Sequence, residues 1–397
     1  MAIDLLVIAD EIASGIYEIK NLLDHVRTIE NSFTYEVVLD LNINEKVLND
    51  AKCILFVRSR SVLDFEIAKL CKRLNKTIYL FIDDDFLGLR DNYGVYKSGI
   101  WSGRKKALIK MLPLVDAIIS PNDLLGIKYA KYAGIDRRVR IDTAVDEDSL
   151  STNYYPDKSR IVLYINDGSV DMFNKYLKPA LVRIGEDYPD LFQIDLLSLK
   201  PDCSDIKGVK INFIPHMTYP QFRKYLKETP FFLGLAPLDD NGFNRYKYFN
   251  KYIEYTRAGI LGIYSDCPLY RQVVQDHVNG LLVDNSPDSW VTAIEYCINH
   301  EEEHYKYLKE AQEIISSQFN KDYICKRLLE DLPEILENKD GKNAVKFDIA
   351  LIKSIHYISR FIERMYLLYK YWKVGGINTV INALKQRQSF NKEKKYE

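Results

Sequence analysis

The chain reads as an α/β protein built from two doubly wound parallel-sheet domains in tandem. Three observations predict this. Short apolar runs alternate with helical segments almost from the first residue, and repeated β-α units of this size imply parallel strands joined by right-handed crossovers. The alternation halts in a polar stretch, DEDSLSTNYYPDK at 146–158, and then restarts. The length of 397 residues suits two domains of ordinary size.

In the first half, IDLLVIAD (3–10) is a nearly continuous apolar run, as expected of a strand buried on both faces. A helix is expected over 15–29, then strands over TYEVVLDL (34–41) and AKCILFVRS (51–59). Helix 62–75 has apolar residues at helical spacing and leads to the strand KTIYLFID (76–83). Helix 104–114, strand VDAIISP (115–121) and helix 123–134 follow, the last stopped by Gly134, and RRVRIDTAV (137–145) closes the series. The second half repeats the pattern. Strands are expected at 160–167, 191–199, 209–215 and 230–238, with helices at 171–189 and 218–229. After 238 come a helix over 244–258, the strand ILGIYSD (260–266) and the turn and strand NGLLVDN (279–285). A helix starting at SPDSW has Pro287 in its first turn. Helices over 301–319 and 321–338 end the body. The expected domains are therefore 1–148 and 159–340, followed by a tail, 341–397.

Composition excludes several classes. Formal net charge is −1, so nothing global points to nucleic acid. The six cysteines are scattered without a C-x-x-C pair, which predicts a reduced interior. The N-terminus reads as a strand rather than a signal peptide. No apolar run is long enough to span a bilayer. No P-loop or G-x-G-x-x-G sequence occurs, which argues against a P-loop ATPase or an ordinary dinucleotide enzyme. A cytoplasmic protein, at most peripheral at the inner face of the cell membrane, is expected.

The stretch FNRYKYFNKYIEYTRAGILGIYSD (243–266) carries the most chemistry. On one helix from Asn244 to Ala258, Asn244, Lys247, Lys251 and Glu254 form a single polar stripe beginning at the helix N-terminus. Free N–H groups and the helix dipole favour anions there. Two lysines could neutralise a diphosphate, and Glu254 could accept hydrogen bonds from vicinal hydroxyls such as those of a ribose. A solvated face with a Lys251–Glu254 pair is the plainer alternative. Gly259 suits the left-handed position that ends such a helix. In the first turn of the second domain, NDGS (166–169) offers Gly168 for close approach of the backbone to a phosphate.

This stretch, with YRQVVQDHVNGLLVDNSPDSW after it, resembles the donor-binding half of GT-B glycosyltransferases, nearest to family four and its relatives. The match is clear over 160–329. The first domain resembles the acceptor half more loosely, through SGIYEIK, where Gly15 would be the glycine of the first loop. The resemblance implies a GT-B fold whose two Rossmann-like domains face a cleft. It implies a nucleotide-diphosphate sugar as donor, with a UDP-sugar the first candidate, and needs neither cofactor nor metal. Glu254 would contact the ribose, Lys247 and Lys251 would lie near the phosphates, and Ser265 would border the pocket. Retention of configuration is the family's outcome. The pair of glutamates eight positions apart that is common in the family is not complete, because Tyr246 stands eight positions before Glu254.

FIDDDF places Asp83, Asp84 and Asp85 at the end of a strand, facing the cleft by the rule for open sheets. They could supply a base, position the acceptor or cap the next helix. Asp84 is assigned to catalysis with Lys251, and Asp83 and Asp85 to the acceptor side. A metal-binding D-x-D is the alternative, and it belongs to a different glycosyltransferase architecture.

The tail carries 12 Lys/Arg against 4 Asp/Glu from Lys342 onward. FDIALIKSIHYISRFIERMYLLYKYWKVGG repeats apolar residues at 347, 351, 355, 358, 362, 365, 369 and 372 and ends at Gly375–Gly376. That is a long amphipathic helix, with Lys353, Arg360, Arg364, Lys370 and Lys373 on its polar side. It could pack back on the first domain, lie on a membrane or pair two copies. The expected activity is sugar transfer to a glycan, lipid-linked or protein acceptor in bacterial surface polysaccharide or glycoconjugate synthesis. A non-catalytic binding or chaperone subunit is the alternative. A sugar-phosphate enzyme of the epimerase type on the same architecture fits the tail poorly.

Overall fold

A computed structural model describes residues 2–9, 14–89, 99–146, 149–151, 157–165, 170–198 and 200–337, and scattered positions between 350 and 381. The first domain holds β1 (Ile3–Ala9), α1 (Ser14–Ile29), β2 (Tyr35–Leu39), α2 (Glu45–Asp50), β3 (Ala51–Val57), α3 (Val62–Arg73) and β4 (Thr77–Phe81). It continues with α4 (Gly99–Met111), β5 (Ala117–Ser120), α5 (Asp123–Ala133) and β6 (Arg138–Arg140). The strands form one sheet in the order β2-β1-β3-β4-β5-β6, every pairing parallel. Helices pack on both faces, which is why β1, β3 and β5 are apolar along nearly their whole length. Ser61 caps α3 reciprocally with Asp64. Gly134 ends α5 at φ 71°, where a side chain would be strained.

The second domain runs β7 (Asp157–Ile165), α6 (Lys178–Asp187), β8 (Phe192–Ser198), β9 (Val209–Pro215), α7 (Tyr219–Glu228) and β10 (Phe231–Ala236). It ends with α8 (Asn250–Ala258), β11 (Leu261–Ser265), β12 (Leu281–Val283), α9 (Pro287–Asn299) and α10 (Glu301–Gln318). A π-helical turn, Phe173–Leu177, leads into α6. Its parallel sheet has the order β12-β11-β10-β7-β8-β9. Trp290 of α9, fully buried, anchors one side of that sheet.

Two expectations are corrected. The helix predicted over 244–258 is two elements. A single 3-10 turn spans Asn244–Tyr246, Lys247 is extended at φ −74° and ψ 168°, and α8 begins only at Asn250. Tyr248 and Phe249 are the reason: both are buried in the second domain's core, and the chain must leave helical geometry to seat them there. The second correction concerns the boundary at 340. α11 (Lys321–Asp331) crosses back and puts Ile324, Cys325 and Leu328 into the first domain's core, with Leu332 and Ile335 after it. Glu334 completes the return, accepting hydrogen bonds from Tyr79 Oη at 2.7 Å and Arg137 Nη1 at 2.6 Å. In the tail, the described positions from 350 to 373 are helical, and Ile352 packs on the first domain's core.

Candidate active site

The carboxyl ends of the two sheets face each other, the position at which open α/β sheets bind ligands. A cavity of about 60 Å³, open to solvent, lies between them. That is smaller than a drug-sized ligand needs, so the two halves stand close together here. Gly15, Glu18, Asp83 and Asp142 line it from the first domain; Tyr219, Asn250 and Glu254 line it from the second.

On the first-domain wall, β3 ends in Arg58, which holds φ +53°, a backbone state uncommon outside glycine. That turn aims the guanidinium at the aspartates after β4. Its Nε lies 3.0 Å from Asp83 Oδ1 and its Nη2 4.0 Å from Asp84 Oδ2. Gly15 makes room for it: a Cβ there would come within 3.3 Å of Arg58 Cδ and 3.6 Å of Asp83 Oδ2. Burial raises the pKa of Asp84, and the neighbouring charge of Asp83 raises it further, while Lys247 and Arg58 oppose the shift. Lys247 shifts the other way, lowered by burial against the pull of Asp84. A carboxylate from one domain and a lysine from the other are thus electrostatically coupled between the domains.

Asp85 is not a cleft residue. It is 1% exposed and ion-paired with Lys128 Nζ of α5 at 2.6 Å. Among the described residues no group of three His, Cys, Asp or Glu side chains is placed to hold a metal ion.

On the second-domain wall, the first turns of α8 carry Lys251 and Glu254. Lys251 Nζ donates to Glu254 Oε2 at 2.6 Å and lies 4.7 Å from the centroid of the Phe222 ring. Both side chains are mostly buried, at 23% and 13% exposed, so they do not form the solvated pair that the plainer sequence reading allowed. Asn244 and Ser265 hold the scaffold instead of reaching the cleft. Asn244 is buried and donates from Nδ2 to Asp239 O at 2.8 Å. The Ser265 hydroxyl accepts from Leu238 N at 2.7 Å and donates to Asn285 Oδ1 at 2.6 Å, tying together the loops after β10 and β12. Gly168 lies outside the described residues.

Several cleft residues escaped the sequence reading. Asn122 Nδ2 donates to Arg245 O and Lys247 O, at 3.1 and 2.7 Å, and so clamps the loop before α8 to the first domain. Tyr248 Oη donates to Asp142 Oδ1 at 3.1 Å. Tyr219 Oη donates to Glu18 Oε1, and its ring lies 6.0 Å from that of Tyr17. Arg58 was findable as the polar residue just past a strand's carboxyl end. No local pattern marks Tyr219 or Asn122, because their partners are over 100 residues away.

The fold that carries this cleft is GT-B: two Rossmann-like parallel-sheet domains joined across an interdomain site. The structure matches HepE of Anabaena, solved in complex with UDP and glucose, at a TM-score of 0.58 and 11% identity, covering 83% of this chain and 99% of that one. It matches sucrose-phosphate synthase of Thermosynechococcus elongatus at 0.57 and 12%, covering 83% and 98%. A Listeria monocytogenes protein assigned as a UDP-N-acetylglucosamine 2-epimerase matches at 0.54 and 13%, covering 87% and 100%. No family description and no curated protein matches the sequence. At such identities the likeness establishes the fold, which hosts more than one chemistry.

Proposed function

We propose that the chain is a glycosyltransferase that moves a sugar from a nucleotide-diphosphate sugar to a glycan, lipid-linked or protein acceptor, in the synthesis of a bacterial surface polysaccharide or glycoconjugate. The observation that carries this reading is the mostly buried Lys251–Glu254 pair on the first turns of α8, with Glu254 lining a cavity whose opposite wall holds Asp83. Glu254 receives the ribose hydroxyls. The α8 N-terminus, Lys251 and Lys247 meet the diphosphate and stabilise it as charge develops on departure. The bond from the anomeric carbon to the diphosphate oxygen breaks, and a bond from that carbon to the acceptor oxygen forms. Asp84 takes the acceptor's proton, a role suited to a carboxylate whose pKa is raised by burial. Transfer with retention and without metal is the expected form. HepE's complex with UDP and glucose supports a uridine donor.

Thermal-shift binding against uridine, guanosine and adenosine diphosphates and their sugars, without and then with divalent metal, tests the donor site. One diphosphate nucleotide should stabilise the protein selectively, and Lys251→Ala should abolish the shift. Well-folded protein that responds to none of them overturns the reading. Selective binding with no transfer to any acceptor would favour a binding subunit, and conversion of the sugar to its epimer would place the chain with the epimerases.

A further inference from the structure

The tail carries a feature that the cleft does not use. In the tail, Ile358, Phe361, Ile362, Met365, Tyr369 and Trp372 are each between 51% and 62% exposed. At about 100° per residue they fall on one face of a helix. Large apolar side chains gathered this way on a water-facing surface mark a contact site. The rest of the stretch is basic. Between 350 and 381 the sequence has Lys353, Arg360, Arg364, Lys370 and Lys373 against the single acid Glu363. On the same helical projection Lys373 falls at one edge of the apolar face, and Lys353 lies about 130° from its centre, on the polar side. Tyr369 and Trp372 lie with ring centroids 6.1 Å apart, and such amphipathic rings favour the headgroup level of a bilayer. No helix among the described residues is long and apolar enough to cross a membrane.

We propose that this helix lies in the surface of an anionic lipid bilayer, with its apolar face in the acyl boundary and the basic residues of the stretch drawing it to lipid phosphates. Charge decides between this occupant and a second copy of the chain. Each copy has five Lys/Arg against one Glu between 350 and 381, so two copies brought together gather ten bases and two acids, a net of +8, whereas anionic lipid supplies the missing charge. Because Ile352 packs on the first domain's core, the bilayer is held beside the acceptor-side domain. The inference is independent of the donor-site reading.

Vesicle flotation with the full chain tests it. The protein should float with phosphatidylcholine vesicles containing about one-third phosphatidylglycerol, not with phosphatidylcholine alone, and salt should release it. Ile362→Glu with Met365→Glu should weaken binding at least about tenfold. Lys353→Glu with Lys373→Glu should weaken it less and flatten the salt dependence. All four side chains are exposed or half-exposed, so melting temperatures should stay unchanged and serve as the folding control. Absence of flotation, or equal flotation of wild type and variants, overturns the proposal. So does a dimer by light scattering that the Ile362→Glu, Met365→Glu chain no longer forms, because a second copy would then cover the face.

Discussion

The two walls of the cleft carry charge in different ways. On α8 the charged pair is local: Lys251 and Glu254 are three residues apart, and one helical turn brings them together. On the first domain the group is assembled from three separate segments, with Arg58 after β3, Asp83 and Asp84 after β4, and Gly15 in the first turn of α1. The local pair needs only its own helix to bring it together. The assembled group depends on one strained residue, Arg58, to bring a positive charge to two adjacent carboxylates.

That contrast can be broken experimentally. The largest effect should come from the local pair: Lys251→Ala or Glu254→Ala should lower kcat/KM for the nucleotide sugar by about 100-fold or more, measured by donor turnover. Asp84→Asn should cost nearly as much turnover, yet raise the melting temperature at neutral pH. Its folded pKa lies above the ordinary value, so the native state loses stability as pH rises through it, and removing the charge restores that loss. A fall in melting temperature would contradict the burial argument.

Glu334 is the opposite case. Burial alone would raise its pKa, but hydrogen bonds from Arg137 and Tyr79 hold it at about 2. Its contribution is present above the ordinary value of 4.5 and fades as pH falls toward 2. Glu334→Gln should therefore cost roughly 2 kcal/mol at pH 7 by urea unfolding and less at low pH. The smallest effect tests the scaffold. Ser265→Ala should cost about 1 kcal/mol of stability and leave KM for the donor within about twofold, whereas a donor contact would raise KM.

Much of the fold was legible because buried parallel strands are apolar runs and their helices are amphipathic. Gly134 was placed correctly at a helix end and Gly259 at a left-handed one, and both hold positive φ, at 71° and 79°. The polar stripe was misread because periodicity treats 244–258 as one helix, while Tyr248 and Phe249 break it by entering the core. Asp85 and Ser265 have the right chemistry at the right strand ends, but their partners, Lys128 and Asn285, lie too far along the chain for spacing to reveal. The return of α11 to the first domain was hidden for the same reason: its apolar face says that it is buried, and not against what.

That return has a mechanical consequence. The chain passes between the domains twice, near Val145 and again near Phe319. The two crossings are bonded together, with Val145 N donating to Phe319 O at 2.8 Å and a parallel bridge from Val145 to Asn320. Two covalent links joined at one point act as a single pivot. They permit the halves to swing about it and resist sliding or separation. The Tyr219–Glu18 and Asn122–Lys247 hydrogen bonds also join the two halves, so a swing that separates those residues has to break them.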